Sequence, residues 1–365
     1  MKKQLTGILA ALLVAGTVGT VSAVDTDAVT VTVNGQTVQT DVAPVIENDR
    51  VLLPMRAIFE ALGCNVTYRE VDGRQLVTAF HGQSRVELEI GKSEMTVNGE
   101  TKALDVAAKI EKDRTMVPVR AVSEALNAEV SWDGETRTAA VATKQGDHKI
   151  GSVTGEKTVK ADDGTVLMYI NYVYPVIENK SGNAYIEKIN NEYKADAEEF
   201  VAEAVEDAAD AEFLLGEMGK EVFVPYESNL SFDVHTDQNG ILSITSCEYY
   251  TRGGAHPDTE RESETFDLNN ERELTLSDVV KGEADDIHTM VYDVFVSYFE
   301  ENDESFSAEA ASELDKECDN VKFYVTDNSL ALYFDVYQVA SYAAGYPTAE
   351  LAYNEGVFKL KLAAK

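Results

Sequence analysis

Valines at alternate positions, Val29, Val31 and Val33, run into Asn34-Gly35 and then into a polar return segment. Period-two alternation marks a strand with one buried face, and Asn-Gly supplies the positive φ angles of a two-residue hairpin turn. The pattern then changes period. Val51-Leu52-Leu53-Pro54 leads into Met55, Ile58, Phe59 and Leu62, spaced by threes and fours, which predicts a short helix entered at Pro54 and stopped at Gly63. Strands are expected next over Asn65 to Tyr68, Leu76 to Phe80 and Val86 to Ile90.

This pattern occurs twice. Thr32-Val33-Asn34-Gly35 recurs as Thr96-Val97-Asn98-Gly99, a shift of 64 residues. The same shift carries Asp41 to Asp105, Asp49-Arg50 to Asp113-Arg114, Pro54 to Pro118, Arg56 to Arg120 and Glu60-Ala61-Leu62 to Glu124-Ala125-Leu126 without a gap. Such self-similarity denotes a duplicated unit, and it predicts two equivalent sheet-and-helix copies packed as one body, separate from the rest. The second copy closes with Val130 to Trp132, an Asp133-Gly134 turn and a strand from Thr138 to Ala142. Arg56 and Arg120, each seven residues after an aspartate (Asp49, Asp113), admit a reading as ligand hooks. Their repetition favours a structural one, in which each arginine ties its helix to its own sheet.

From Lys144 the chain turns polar and carries Gly146, Gly151 and Gly155, so residues 145–160 read as a linker between a first domain, 24–144, and a second, 161–365. The second domain opens with a strand from Val166 to Pro175 and a helix from Asn183 to Leu215. Ile186, Ile189, Tyr193, Ala197 and Phe200 line one face of that helix, and Glu198, Glu199, Glu203, Glu206, Asp207 and Asp210 form a solvated stripe on the other. Leu230 to His235 and Ile241 to Tyr249 make a hairpin around Asn239-Gly240, followed by a strand from Glu262 to Leu268. A second helix spans Asp285 to Phe299; a hairpin turned at Asp327-Asn328 joins Phe323–Val325 to Leu330–Val336, and a last strand covers Gly356 to Leu362. Without a strand-helix-strand rhythm, the fold class is α+β, a duplicated small sheet-and-helix unit followed by a mainly antiparallel sheet with two long helices.

The first residues change the setting. Lys2-Lys3, an apolar run from Leu5 to Val21 and the small-residue pattern Val21-Ser22-Ala23 identify residues 1–23 as a signal peptide cleaved before Val24. No later segment approaches a membrane span, so the expected location is secreted or cell-surface. With 31 Lys plus Arg against 65 Asp plus Glu, the formal charge is −34, and removal of Lys2 and Lys3 makes it −36. An acidic surface excludes nucleic acid as a partner and attracts cationic proteins over about a Debye length. Cys64, Cys247 and Cys318 are too few and scattered for a disulfide framework or a metal cage. Only Cys247 and Cys318 share a domain, so the alternatives are one bridge between them or buried free thiols.

The paired Val-Asn-Gly, Asp-Arg and Pro-x-Arg-Ala motifs, over Val29 to Thr143, resemble the copper amine oxidase N-terminal-like domain, a stalk domain of exported proteins. In the oxidase, copper and quinone belong to another domain, and with His81 the lone histidine of this segment the resemblance implies no copper. Two loops stand apart from the structural rhythm: Tyr249-Tyr250-Thr251-Arg252-Gly253-Gly254-Ala255-His256-Pro257, and Tyr337 to Pro347 with its Tyr342-Ala343-Ala344-Gly345 run. Together they resemble the paired extracellular domains of lysozyme-sensing anti-sigma factors and peptidoglycan deacetylases, over about Val159 to Leu362, with Ala340-Ser341-Tyr342 where those relatives have Ala-Pro-Tyr. The resemblance implies an extracellular recognition module. Neither a sigma-binding segment nor a deacetylase domain is recognisable in the sequence, so the expectation is a receptor part without catalysis.

The candidate ligand-binding residues are Arg252, His256, Tyr250, Tyr342 and Tyr346, displayed on loops where Gly253-Gly254 permits unusual backbone angles and Pro257 stiffens the exit. Tyrosine joins an apolar ring to a polar tip, which suits sugar stacking or protein contact. His256 admits three functional readings, as ligand contact, metal ligand or general base, and a structural one that bonds the facing loop; the structural one is favoured. The sequence has no Gly-x-Ser-x-Gly or His-Glu-x-x-His, and His148, His235, His256 and His288 lack metal-ligand spacing, so no catalytic residue, metal or cofactor is expected. The expected partner is an extracellular protein, cationic as lysozymes are, or a cell-wall glycan. The alternative is an envelope hydrolase using His256 with Asp258, Glu260 or Asp335. N-terminal sequencing of the exported protein is expected to begin at or near Val24; a start at Met1 would exclude cleavage.

Overall fold

The hairpin turns form where the sequence demands left-handed backbone. Asn34 and Gly35 sit at φ 51° and 76°, Asn239 and Gly240 at 57° and 77°, the paired positive angles of the two-residue turn. Asn48 and Asp49 (47° and 61°) are matched 64 residues later by Lys112 and Asp113 (49° and 60°), so the two copies turn alike. The computed structural model describes residues 28–359 apart from 72, 83, 99, 127, 144–145, 255, 303–307 and 354–356. The expected signal peptide with its cleavage site, and Gly99, therefore lie outside the described residues.

The first copy comprises β1 (Thr30–Val33), β2 (Gln36–Thr37), β3 (Val45–Glu47), β4 (Arg50–Pro54), helix α1 (Met55–Ala61), β5 (Asn65–Val71) and β6 (Arg74–His81). An added strand, β7 (Ser84–Glu89), leads to the second copy: β8 (Glu94–Val97), β9 (Glu100–Ala103), β10 (Lys109–Glu111), β11 (Arg114–Pro118), α2 (Val119–Glu124), β12 (Glu129–Asp133) and β13 (Thr138–Ala142). The copies interlock. β1 pairs in parallel with β13, β4 pairs with β11, and the β5-β6-β7 sheet continues into β8-β9. Two reciprocal ion pairs fasten the exchange, Arg50 to Asp105 and Arg114 to Asp41, the same residue pair related by the shift of 64. Leu53, Ile58, Phe59, Val117 and Val122, all fully buried, form a common core from both copies.

Arg56 and Arg120 do not tie their helices to their own sheets. Arg56 bonds Glu60 on its own helix and Glu156 of the second domain, and Arg120 faces Glu124 on its own helix. Asp49 and Asp113 are turn residues, and the arginines adjacent to them in sequence make the inter-copy bonds instead.

The second domain starts earlier than its composition implies. Ile150–Lys160, read as linker, is strand β14, an edge strand with a mostly exposed face, which is why its polar, glycine-containing sequence resembles a loop. Then follow β15 (Val166–Ile177), α3 (Ala184–Met218), β16 (Tyr226–Gln238), β17 (Ile241–Thr251), β18 (Asp258–Asp267) and β19 (Arg272–Glu273), one sheet in the order β14-β15-β16-β17-β18-β19. Only β15 and β16 run parallel within it, because α3 carries the chain back across the sheet. α3 opens with Asn183 as N-cap, its side chain accepting from the Tyr185 and Ile186 amides. It lays Ile189, Tyr193, Phe200 and Ala204 on the sheet. The rest comprises α4 (Leu276–Val279), α5 (Ala284–Asn302), α6 (Ala308–Glu317) and the small sheet β20 (Lys322–Val325), β21 (Ser329–Tyr333), β22 (Thr348–Ala352), around a core of Val291, Phe295, Leu330 and Phe334. Of the expected last strand, the described residues show an isolated bridge between Val280 and Phe358. All three cysteines are buried free thiols, so the Cys247–Cys318 bridge does not form.

Alternate residues of β16 face opposite layers. Tyr226, Leu230 and Phe232 pack with the α3 side, while Glu227, Asn229 and Ser231, all nearly inaccessible, lie on the other side with Asp233. The first domain is docked on that polar face. Arg69 pairs with buried Glu227 and lies over Tyr169, His81 pairs with Asp233 at 2.8 Å, and the Ser231 hydroxyl donates to the Gly82 carbonyl at 2.6 Å. Gly82, at φ 50°, sits so close that an added Cβ would overlap Asp233. The two domains are thus one packed body rather than separate units.

Two outcomes follow. Glu227→Gln leaves Arg69 uncompensated and is expected to cost about 3–5 kcal/mol in urea unfolding, while Arg69→Met with Glu227→Leu costs much less; equal costs would refute the pairing. On the α3 side, burial first and the Glu260 carboxylate second push Glu248 from the ordinary 4.5 up to about 7. Below 4.5 both states hold the proton; between 4.5 and about 7 the folded state alone holds it, so stability falls as pH rises through that window. Glu248→Gln is expected to raise the thermal midpoint at about pH 8 and leave it nearly unchanged at about pH 4.

Candidate functional site

The Arg252–Pro257 loop joins β17 to β18, and the Tyr337–Pro347 loop joins β21 to β22. The structure brings them together. His256 stacks on Tyr342 with ring centroids 3.8 Å apart and planes inclined by 22°. Its Nδ1 lies 3.1 Å from the Pro257 carbonyl and its Nε2 3.1 Å from the Tyr337 hydroxyl. A carbonyl only accepts, so Nδ1 donates to Pro257, and Nε2 shares a hydrogen bond with the Tyr337 hydroxyl. Tyr342 donates to the same Pro257 carbonyl at 2.8 Å, and burial followed by the Asp258 charge raises its phenol above the usual range, keeping it a donor. Tyr337 is 62% exposed and sits at φ 69°, a costly backbone for a bulky residue. Three aromatic rings are thereby held at the surface, two by hydrogen bonds to one backbone carbonyl.

The other candidates lie elsewhere. Tyr250 is 7% exposed, in the core beneath α3 beside Phe200, and its hydroxyl bonds Glu248. Arg252 follows it on the same face, 4.6 Å over the Tyr250 ring and paired with Asp207 at 2.6 Å. The pleat decides this: residues 248, 250 and 252 point to α3, and Tyr249 points the other way, toward Phe80 and Arg85 of the first domain. Tyr346 is half-buried with its ring 4.0 Å from the Arg261 guanidinium, whose other neighbour is Tyr333 at 4.8 Å. It anchors the second loop.

Arg261, 3% exposed, was not legible as a site residue, since on the sequence it is one of several charges in an alternating strand. Of the residues named for hydrolysis, Asp335 pairs with Lys322 at 2.8 Å, and no hydrogen bond joins Asp258, Glu260 or Asp335 to His256 among the described residues. His148 bonds Asp237, His235 stacks on Tyr324, and His288 lies between Asp315 and Asp319. Among the described residues no group of three or more His, Cys, Asp or Glu is placed to hold a metal ion. No described helix is long and apolar enough to cross a membrane.

Comparison with known proteins follows the same division of the chain. Residues 32–141 match the family model for the copper amine oxidase N-terminal domain. Residues 162–259 match that for deacetylase PdaC, and 276–354 that for a protein family of unknown function, DUF3298. The chain is 27% identical over 206 residues to peptidoglycan-N-acetylmuramic acid deacetylase PdaC of Bacillus subtilis, covering 55% of this chain and 39% of that protein. Two crystal structures of DUF3298 family proteins, from Pseudomonas aeruginosa and Bacteroides fragilis, each align with a TM-score of 0.41, at 14% and 17% identity. They cover 59% and 57% of this chain and 96% and 91% of those chains. His256 falls in the PdaC match and Tyr337 and Tyr342 in the DUF3298 match, so the aromatic cluster is assembled from both. Successive segments of the chain are thus similar to a copper amine oxidase N-terminal domain, a PdaC deacetylase and a DUF3298 protein, the composition its motifs imply.

Proposed function

We propose that this is an exported, non-catalytic binding protein of the bacterial envelope, whose Tyr337, His256 and Tyr342 rings recognise cell-wall glycan. The observation that carries the reading is Tyr337: an exposed aromatic held at φ 69° between two other rings. A tyrosine buries no core surface there, and the strain is one that folds tolerate chiefly at sites of use. Sugar rings present C–H faces that stack on such surfaces, and the hydroxyl supplies a hydrogen bond. The name of the Bacillus subtilis relative, a deacetylase of peptidoglycan, supports wall glycan as the ligand class. Both nitrogens of His256 are engaged by a carbonyl and a phenol, which favours a fixed contact over a general base.

The protein is expected to be retained on purified peptidoglycan. Tyr337→Ala should weaken retention about 3- to 10-fold, the scale of one aromatic contact, with an unchanged unfolding midpoint. Unaltered retention by the variant would move the binding face elsewhere. Binding to a cationic protein such as a lysozyme in place of the glycan, weakening as salt rises, would overturn the glycan reading in favour of protein recognition.

A further inference from the structure

Large apolar side chains exposed to water gather mostly at one place in the second domain. Phe213, Val222 and Val224 are 70%, 61% and 63% exposed, and Met218, between them in the chain, is exposed as well. All belong to the last turns of α3 and the segment that follows. Gly219, at φ 81°, ends the helix, and the chain folds back so that Phe223 enters the buried cluster of Ala211 and Leu215. That anchor sets Val222 and Val224, on either side of Phe223, beside the end of α3. The segment is tied down: the Phe223 amide donates to the Gly219 carbonyl at 3.1 Å, and Lys220 pairs with Asp163 of the turn between β14 and β15 at 2.6 Å.

The border of this patch is acidic. Asp210 and Glu217 lie three residues before and four after Phe213, on the same ridge of α3, and Glu212 and Glu221 are exposed beside them. None of these carboxylates has an ion pair among the described residues, whereas the cations at this end of α3, Lys220 and Arg252, are paired with Asp163 and Asp207. An exposed apolar patch with a polar border marks an interaction surface. The border selects the partner: covering unpaired carboxylates is unfavourable unless cations meet them, so the complementary surface is apolar with lysines or arginines along its edge.

We propose that the end of α3 is the docking surface for a cationic amphipathic peptide, a helix whose apolar stripe covers Phe213, Met218, Val222 and Val224 and whose flanking cations meet Asp210, Glu217 and Glu221. The field of a chain of formal charge −34 draws such a peptide in, and the apolar patch gives it one place to settle. None of these residues belongs to the cluster of His256, Tyr337 and Tyr342, so the proposal stands apart from the glycan reading.

The test titrates the full mature chain, by calorimetry, with a peptide of two Leu-Lys-Lys-Leu-Leu-Lys-Leu repeats and with a shuffled peptide of the same composition that has no apolar stripe. Saturable binding of the first peptide, weakening as salt rises, is expected, with little binding of the second. Phe213→Ser with Val222→Ser should lower the affinity about tenfold and leave the thermal midpoint unchanged, since both side chains are exposed in the free protein; Tyr337→Ala should leave the affinity unchanged. Absence of saturable binding, equal binding of the shuffled peptide, or undiminished affinity in the double variant overturns the proposal, and so does loss of binding in Tyr337→Ala, which would move the peptide to the aromatic cluster. Two controls decide other occupants. Cosedimentation with phosphatidylcholine vesicles, or concentration-dependent association of the chain alone, either one abolished by the double variant, would assign the patch to a lipid surface or to a second copy and overturn the peptide reading.

Discussion

The burial of β16 on both faces is the constraint on which the remainder rests. One face carries Tyr226, Leu230 and Phe232 into the core beneath α3; the other carries Glu227, Asn229 and Ser231, none of which has access to water. A buried carboxylate without a partner is prohibitively unfavourable, and Arg69 supplies the partner from the first domain. Replacing such a pair by hydrophobic residues is often neutral in stability, so the value of the arrangement is in specifying one orientation. Arg69, His81 and the Gly82 carbonyl each find a complementary group at a fixed place on β16, and a sliding or rotated dock would lose all of them at once.

That orientation reaches the aromatic cluster. Tyr249 on β17 faces Phe80 and Arg85, and the next turn of chain after it is the loop bearing His256. The first domain therefore buttresses the strand from which the loop departs, while Tyr346, clamped on Arg261, buttresses the other loop from within. Recognition surfaces on loops require a rigid support of this kind, since ordering a mobile loop on binding subtracts from affinity.

Much of this was legible beforehand. The duplication, the Asn-Gly hairpins and α3 follow from periodicity and motif. What was not legible depends on which layer covers which face. Tyr249 and Tyr250 are adjacent and chemically identical, and a displacement of one residue along a strand separates an interdomain contact from the α3 core. Ile150–Lys160 reads as linker because an edge strand with an exposed face has no apolar alternation to display. Arg50 and Arg114 look like turn arginines, and only the exchange of strands between copies reveals their partners across the duplication.

The exchange of strands has a temporal side. β1 is among the first segments to leave any channel that passes the chain from its N-terminus, yet its parallel partner is β13, and the Asn34 side chain bonds Thr143, 109 residues later. Until that far strand arrives, Thr30–Val33 presents an open ladder of amides and carbonyls to any other chain nearby. Its brevity, four residues with a polar return strand, limits the risk of mispairing during that interval. Closure of the first domain thus waits for Thr138–Ala142, and both copies that cover the polar face of β16 are delivered before Tyr226–Gln238 follows.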